Sequence, residues 1–249
     1  MPIELRGDVV FHNGDRLTAE DFRFTFFDRR KTTPGLDVAN SWRKVQDIEV
    51  LSPTRAVMHF NSPAPTAPAW LAFLGSYVVP KVYVERVGVP AFAQKPIGTG
   101  PYRLVEWVSN GRIVLERNDR YWGPKPVVRR VTVQIVKDPS SRAAAVQSGQ
   151  ADLAINLPVH EAVRLRGEPG LAAALDPITR IILLQVRNDL GFEDANVRLA
   201  AHHAIDKAAL SRAFYNNAAV PLSQLATPGT PGFMADFALK YDPELARQL

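Results

Sequence analysis

Histidine, cysteine and glycine-rich positions are the places where chemistry would be sought first. The chain has five histidines, His12, His59, His160, His202 and His203. Only His202-His203 are close in sequence. Neighbouring helix positions point in different directions, which makes them poor joint ligands. A metal centre needs several ligands converging, so none is expected. There are no cysteines, which excludes a thiolate metal site, a cysteine nucleophile and a disulfide scaffold. Gly98-Thr99-Gly100 has part of a phosphate loop, but no third glycine and no Lys-Ser/Thr follow, and Pro101 removes a backbone donor. It reads as a structural turn. Ser140-Ser141-Arg142 opens a helix without a nucleophile-elbow pattern. The carboxylates are scattered. No catalytic residue, metal or cofactor is assigned, and the chain is not expected to be an enzyme.

The elements around these residues describe a mixed α/β protein. The 249 residues allow one large domain or two ordinary ones, and 46% hydrophobic with 22% charged residues is a globular balance. Twenty prolines argue against a helical bundle. The stretch Lys95–Lys137 holds nine Lys/Arg against three Asp/Glu, enough to account for the whole chain's +5. These charges alternate with apolar residues, so the stretch reads as a solvated sheet face and not as a nucleic-acid surface. Asn61–Pro80 carries no charge, yet four prolines and a glycine break it as a membrane span. The first residues lack a basic segment followed by an apolar core, so a signal peptide is not expected, and the chain as written would stay in the cytoplasm.

Short strands are expected at Ile3–Arg6 and Val9–Phe11, then a turn at Asn13-Gly14-Asp15. Thr18 followed by Asp21 approximates a capping box and opens an amphipathic helix over Ala19–Arg30, with Phe22, Phe26 and Phe27 inward. Val45–Leu51 and Arg55–Phe60 form a hairpin across Ser52-Pro53-Thr54. Helices follow at Ala69–Leu74 and Lys81–Val87. Tyr102–Val108 and Ile113–Arg117 form a second hairpin across Ser109-Asn110-Gly111-Arg112, and Val127–Val136 reads as a strand. Asp138-Pro139 starts a helix that ends at Gly149. Then come a strand at Ala151–Ile155, a helix over Pro158–Arg166, and strands at Leu171–Asp176 and Arg180–Arg187. The apolar run Ile181–Leu184 has the character of a strand buried on both faces. Helices are expected from Asp194 to His203, over Asp206–Tyr215, and from Asp242 to the last residue. That last helix is about two turns long, marginal in isolation, and the chain looks cut there.

Six blocks of text carry a resemblance. Val10-Phe11-His12-Asn13-Gly14-Asp15 runs on through Leu17-Thr18-Ala19-Glu20-Asp21-Phe22. Ile97-Gly98-Thr99-Gly100-Pro101-Tyr102 comes next, then Ile113–Trp122, then Ala145–Leu153 with its Gly149-Gln150-Ala151-Asp152. Asn196-Val197-Arg198 with Ala204-Ile205-Asp206-Lys207, and Tyr241–Ala246, complete the set. In this order they resemble family 5 extracellular solute-binding proteins, the peptide, dipeptide and nickel binding components of ABC importers. The resemblance implies a type II periplasmic-binding-protein fold of two lobes plus an extra small domain, here lacking both ends. It divides the chain into residues 1–93 (extra domain), 94–180 (part of lobe one) and 181–249 (beginning of lobe two).

The same resemblance implies a peptide or other small solute as ligand, permease subunits of the inner membrane as partners, no nucleic acid, a monomer, and a periplasmic location. It also directs attention to the lobe crossing. Asn156 follows a strand where the family often places a cleft-facing polar residue, and Gln185, Arg187 and Asn188 end the next crossing strand. The plainer reading makes Asn156 the cap of the helix that begins at Pro158, and Arg187-Asn188 ordinary loop residues. Two competing classes are a gene fragment that does not function and a basic cytosolic enzyme or nucleic-acid-binding protein.

Overall fold

The computed structural model describes residues 1–29, 42–72, 77–175, 180–187 and 189–249. They fall into two compact units, Met1–Ile135 and Val136–Leu249. Among them no helix is long and apolar enough to cross a membrane.

The first unit begins with an antiparallel sheet of β1 (Pro2–Glu4), β2 (Val45–Ser52) and β3 (Arg55–Phe60), with β3 in the centre. Ile48 opposes Met58 and Val50 opposes Ala56. The two-residue periodicity turns Ile48, Ala56 and Met58 to one face, where they are fully buried. Helix α1 (Ala19–Arg23) lies on that face and continues as a π-helical turn over Phe24–Asp28. Phe22, Phe26 and Phe27 pack with Trp42 and the sheet; the Phe22–Phe26 and Phe26–Trp42 ring centroids are 4.7 and 5.0 Å apart. Phe24 is buried in a second cluster with Val79 and Val84. This segment is therefore apolar on two sides, which its one-stripe reading missed.

Asp21 explains how the helix is started and held. The Thr18 N–H and hydroxyl both donate to Asp21 Oδ2 at 2.8 Å. Its Oδ1 accepts the Lys81 N–H at 2.8 Å, at the start of α3 (Lys81–Val87). This buried carboxylate thus satisfies donors at two helix starts. Before α3 comes the short α2 (Ala67–Leu71); Phe73 and Leu74 of the expected helix lie outside the described residues, as does Arg30. After α3, Gly88 at φ +80° allows a new helix, α4 (Val89–Gln94). Sequence reasoning placed no element over α4; Pro90 lies in its first turn, where proline is compatible with a helix.

A second antiparallel sheet comprises β4 (Tyr102–Val108), β5 (Arg112–Arg117) and β6 (Arg130–Gln134), with β5 central. Asn110, at φ +55°, makes the expected hairpin turn. The strand foreseen over Val127–Val136 is shorter: its paired residues run from Arg130, opposite Glu116, to Gln134, opposite Arg112, with one main-chain bond beyond each end, Arg117 N–H to the Arg129 carbonyl and Ile135 N–H to the Gly111 carbonyl. Val127 is 94% exposed. The Val9–Phe11 strand reduces to one bridge, Val10 to Arg16. On the basic stretch, Arg103 pairs with Glu116 at 2.7 Å and Arg112 with Glu106 at 2.9 Å, both on the solvated surface.

In the second unit the helices are α5 (Pro139–Gln147), α6 (Val159–Arg166), α7 (Ala195–Ala204), α8 (Lys207–Tyr215) and α9 (Pro243–Gln248). Four have an aspartate cap: Asp138, Asp194, Asp206 and Asp242 accept N–H groups of Ser141, Asn196, Ala209 and Leu245. Gly149, at φ +72°, ends α5. The short α9 is anchored on α7: the His203 ring donates from Nδ1 to the Lys240 carbonyl at 2.8 Å, and the Asp242 N–H donates to the His203 carbonyl at 2.9 Å.

The strands expected at Ala151–Ile155, Leu171–Asp176 and Arg180–Arg187 do not form among the described residues; Asp176 lies outside them. A strand requires a ladder partner, and none is present beside these segments among the described residues. Ile182 and Leu184, expected to be buried on both faces, are each 73% exposed.

Met58 lies fully inside the first sheet's core, so Met58→Ala should cost about 2–5 kcal/mol in denaturant unfolding. Arg55→Ala, on the exposed side of the same strand, should change stability by less than about 0.5 kcal/mol.

Candidate functional site

The polar positions singled out in the sequence lie in the second unit, apart from Asn188, which lies outside the described residues. Asn156 is exposed and adopts φ +56°, the left-handed conformation that asparagine tolerates better than most residues. It does not cap α6. The residue at that cap is Pro158, and no side chain bonds the first turn. Asn156 is held instead through its main chain, where its carbonyl accepts from Arg142 Nη2 at 2.8 Å.

Arg142 is a residue the sequence reasoning passed over. Its Nη1 also donates to the carbonyls of Val136 and Lys137, at 2.8 and 2.9 Å. One guanidinium on α5 thus fixes the segment entering the helix and the bend at Asn156. Four residues earlier, Asp138 caps the same helix; the hydroxyl and N–H of Ser141 hold its carboxyl below the ordinary range. The arrangement recurs at α7. Asp194 is the cap, and Arg198 Nη1 donates to the carbonyls of Phe192 and Glu193, at 2.6 and 2.8 Å. Aspartate followed four residues later by arginine is the sequence signal for both.

Gln185 and Arg187 are exposed on the irregular segment 180–187. Arg187 forms a two-pronged pair with Asp189, Nε to Oδ1 at 2.9 Å and Nη2 to Oδ2 at 2.5 Å. Their mutual bond raises the arginine pKa and lowers the carboxyl pKa. The pair joins residues two positions apart. Among the described residues, no hydrogen bond or ion pair joins Asn156 to Gln185 or Arg187.

Elsewhere the polar geometry is structural. The Gly98 N–H and the carbonyls of Gly98 and Gly100 are engaged by His12 and Asn118, which leaves the turn no phosphate-cradle character. Among the described residues, no group of three or more His, Asp or Glu is placed to hold a metal ion.

The family model for bacterial extracellular solute-binding proteins, family 5, middle, matches residues 2–249. The chain belongs to this family. The nickel-binding periplasmic protein of Escherichia coli K12 is 30% identical over 267 residues, covering 98% of this chain and 48% of that protein. The glutathione-binding protein GsiB of the same strain is 24% identical over 250 residues, covering 99% and 48%. The chain spans about half the length of the curated relatives it matches. Among solved structures, the periplasmic binding protein DppA of Helicobacter pylori, in complex with the peptide STSA, aligns with a TM-score of 0.80 at 22% identity. That alignment covers 99% of this chain and 53% of DppA. NikZ of Campylobacter jejuni, in complex with Ni(L-His), gives 0.80 at 23% identity, covering 99% and 50%. The mixed α/β fold is therefore that of the family 5 periplasmic binding proteins, as the six sequence blocks implied.

Arg142→Met removes three carbonyl contacts and should lower stability by about 1–3 kcal/mol in denaturant unfolding. Asn156→Gly keeps the left-handed bend and should stay within about 0.5 kcal/mol of the parent. Asn156→Val should cost about 1–3 kcal/mol, because a β-branched residue is strained there.

Proposed function

We propose that this chain is part of the solute-binding component of an ABC importer, which captures a peptide or similar small solute between two lobes and presents it to membrane permease subunits. The family match over residues 2–249 carries this reading. The relatives named for what they bind are binding proteins and not enzymes. They are named for nickel and glutathione, and one solved neighbour holds a tetrapeptide. The expected ligand is therefore small, polar and hydrogen-bonding. Location in the periplasm follows the relatives' description.

The physics of such capture is a closed form favoured by contacts made only when ligand is bound. Within that scheme residues 1–93 are the extra domain, 94–180 belong to lobe one and 181–249 begin lobe two. Asn156, Gln185, Arg187 and Asn188 are the proposed ligand-facing positions. Exposure of Asn156 and Gln185, with side chains uncommitted to helix capping, supports this reading. The assembly is proposed as a monomer that does not bind nucleic acid; the cross-strand pairing of Arg103 and Arg112 with carboxylates supports the latter.

The test is calorimetry of the chain against short peptides, glutathione and a nickel–histidine chelate. One class should bind and raise the thermal midpoint; ligand at a hundredfold its Kd adds about 2.7 kcal/mol. Asn156→Ala and Gln185→Ala should each weaken that binding by about tenfold, a lost hydrogen bond's worth. Unchanged affinity would remove them from the site. Silence toward all three classes, with salt-sensitive retention on DNA or RNA, would overturn the proposal.

A further inference from the structure

His12 is the one half-buried histidine in the first unit whose two ring nitrogens both face main chain. The Gly98 N–H donates to Nδ1 at 3.2 Å, and Nε2 lies 3.2 Å from the Gly100 carbonyl, to which it donates. The main chain repeats the contact, His12 N–H to the Gly98 carbonyl at 2.9 Å. Asn118 Nδ2 donates to the same Gly100 carbonyl at 3.1 Å, and Arg120 Nη2 to the His12 carbonyl at 3.3 Å. This geometry admits one protonation state. Nδ1 must carry a lone pair to receive Gly98, and Nε2 must carry the proton to reach Gly100.

We propose that His12 is a pH-sensitive clasp, whose neutral ring locks the Gly98–Gly100 turn against the Phe11–Asp15 turn and whose protonation at Nδ1 releases it. A proton on Nδ1 would point at the Gly98 N–H, so two donors would face each other and the bond would be lost. The charged groups around the ring do not offset this. On β4, Arg103 is cationic and unfavourable to a second positive charge. Beyond β5, Arg120 is cationic too, and Asp119 is committed to Arg117. On the ring's own turn, the Asp15 carboxylate takes its bond from the Asn13 amide and not from the His12 ring. Burial lowers the His12 pKa; the bond to Gly100 opposes that and the Arg103 charge adds to it. The folded clasp thus stays neutral where an unfolded histidine would charge. Its stabilisation is complete above the ordinary imidazole value near 6.5 and is lost progressively as pH falls from there through the lowered folded value.

The test is nitrogen-15 NMR of the full chain between about pH 7.5 and pH 5, reading the His12 tautomer and the exchange protection of the Gly98 amide. At the high end Nε2 should carry the proton. Below the onset, Gly98 protection should fall by up to about tenfold per pH unit. His12→Gln, which can still accept from Gly98 but does not titrate, should flatten that dependence, and His59→Gln, on the other sheet, should leave it intact. Protection of Gly98 that stays constant across the range in the unmodified chain overturns the proposal. So does a proton on Nδ1 at the high end, and so does loss of the pH dependence in His59→Gln. The first two readings need no variant to fold.

Discussion

The first unit contains two three-stranded sheets that share no strand, and a relay of hydrogen bonds through residues 5–19 ties them together. It starts at the tip of the β2–β3 hairpin, where Leu5 and Ala19 donate to the carbonyls of Thr54 and Pro53. It ends at the second sheet, where His12 grips Gly98 and Gly100, and Asn118 and Arg120 close over it. Neither sheet alone has much depth of core. Buried apolar side chains concentrate around α1 and the first sheet, and the second sheet contributes Val114. The relay therefore makes one compact body from two thin layers.

Helix ends organise the second unit. Aspartates cap four of its helices, and two of those helices also carry an arginine that reaches back to the carbonyls before the cap. The main chain entering each helix is thereby held without a sheet. The same device fixes the bend at Asn156.

Features governed by local chemistry were readable in the sequence. Both hairpins, the Thr18–Asp21 helix start and the aspartate caps depend on residues a few positions apart. Features governed by distant partners were less readable. The π-helical turn at Phe24–Asp28 has to serve two apolar clusters at once, which a single stripe of phenylalanines does not announce. The three segments read as strands in the second unit have the right composition but no neighbour to pair with among the described residues. At the candidate site, Asn156 was singled out by its place after Ala151–Ile155; the plainer reading of it as a helix cap fails because Pro158 occupies that position. The residue that fixes it, Arg142, lies fourteen positions away and is announced only by the Asp138–Arg142 spacing. The family was legible because its blocks are mostly turns and caps such as Gly-Thr-Gly-Pro and Asp-Pro-Glu, whose chemistry allows few substitutes.

With the relay in place, the two sheets of the first unit should open and close as one. Native-state hydrogen exchange of the whole chain under increasing denaturant measures this directly. Amides of β3 and β5, at the centres of the two sheets, should converge on one opening free energy and one denaturant dependence. Two separate free energies, with the second sheet opening while the first stays protected, would contradict it.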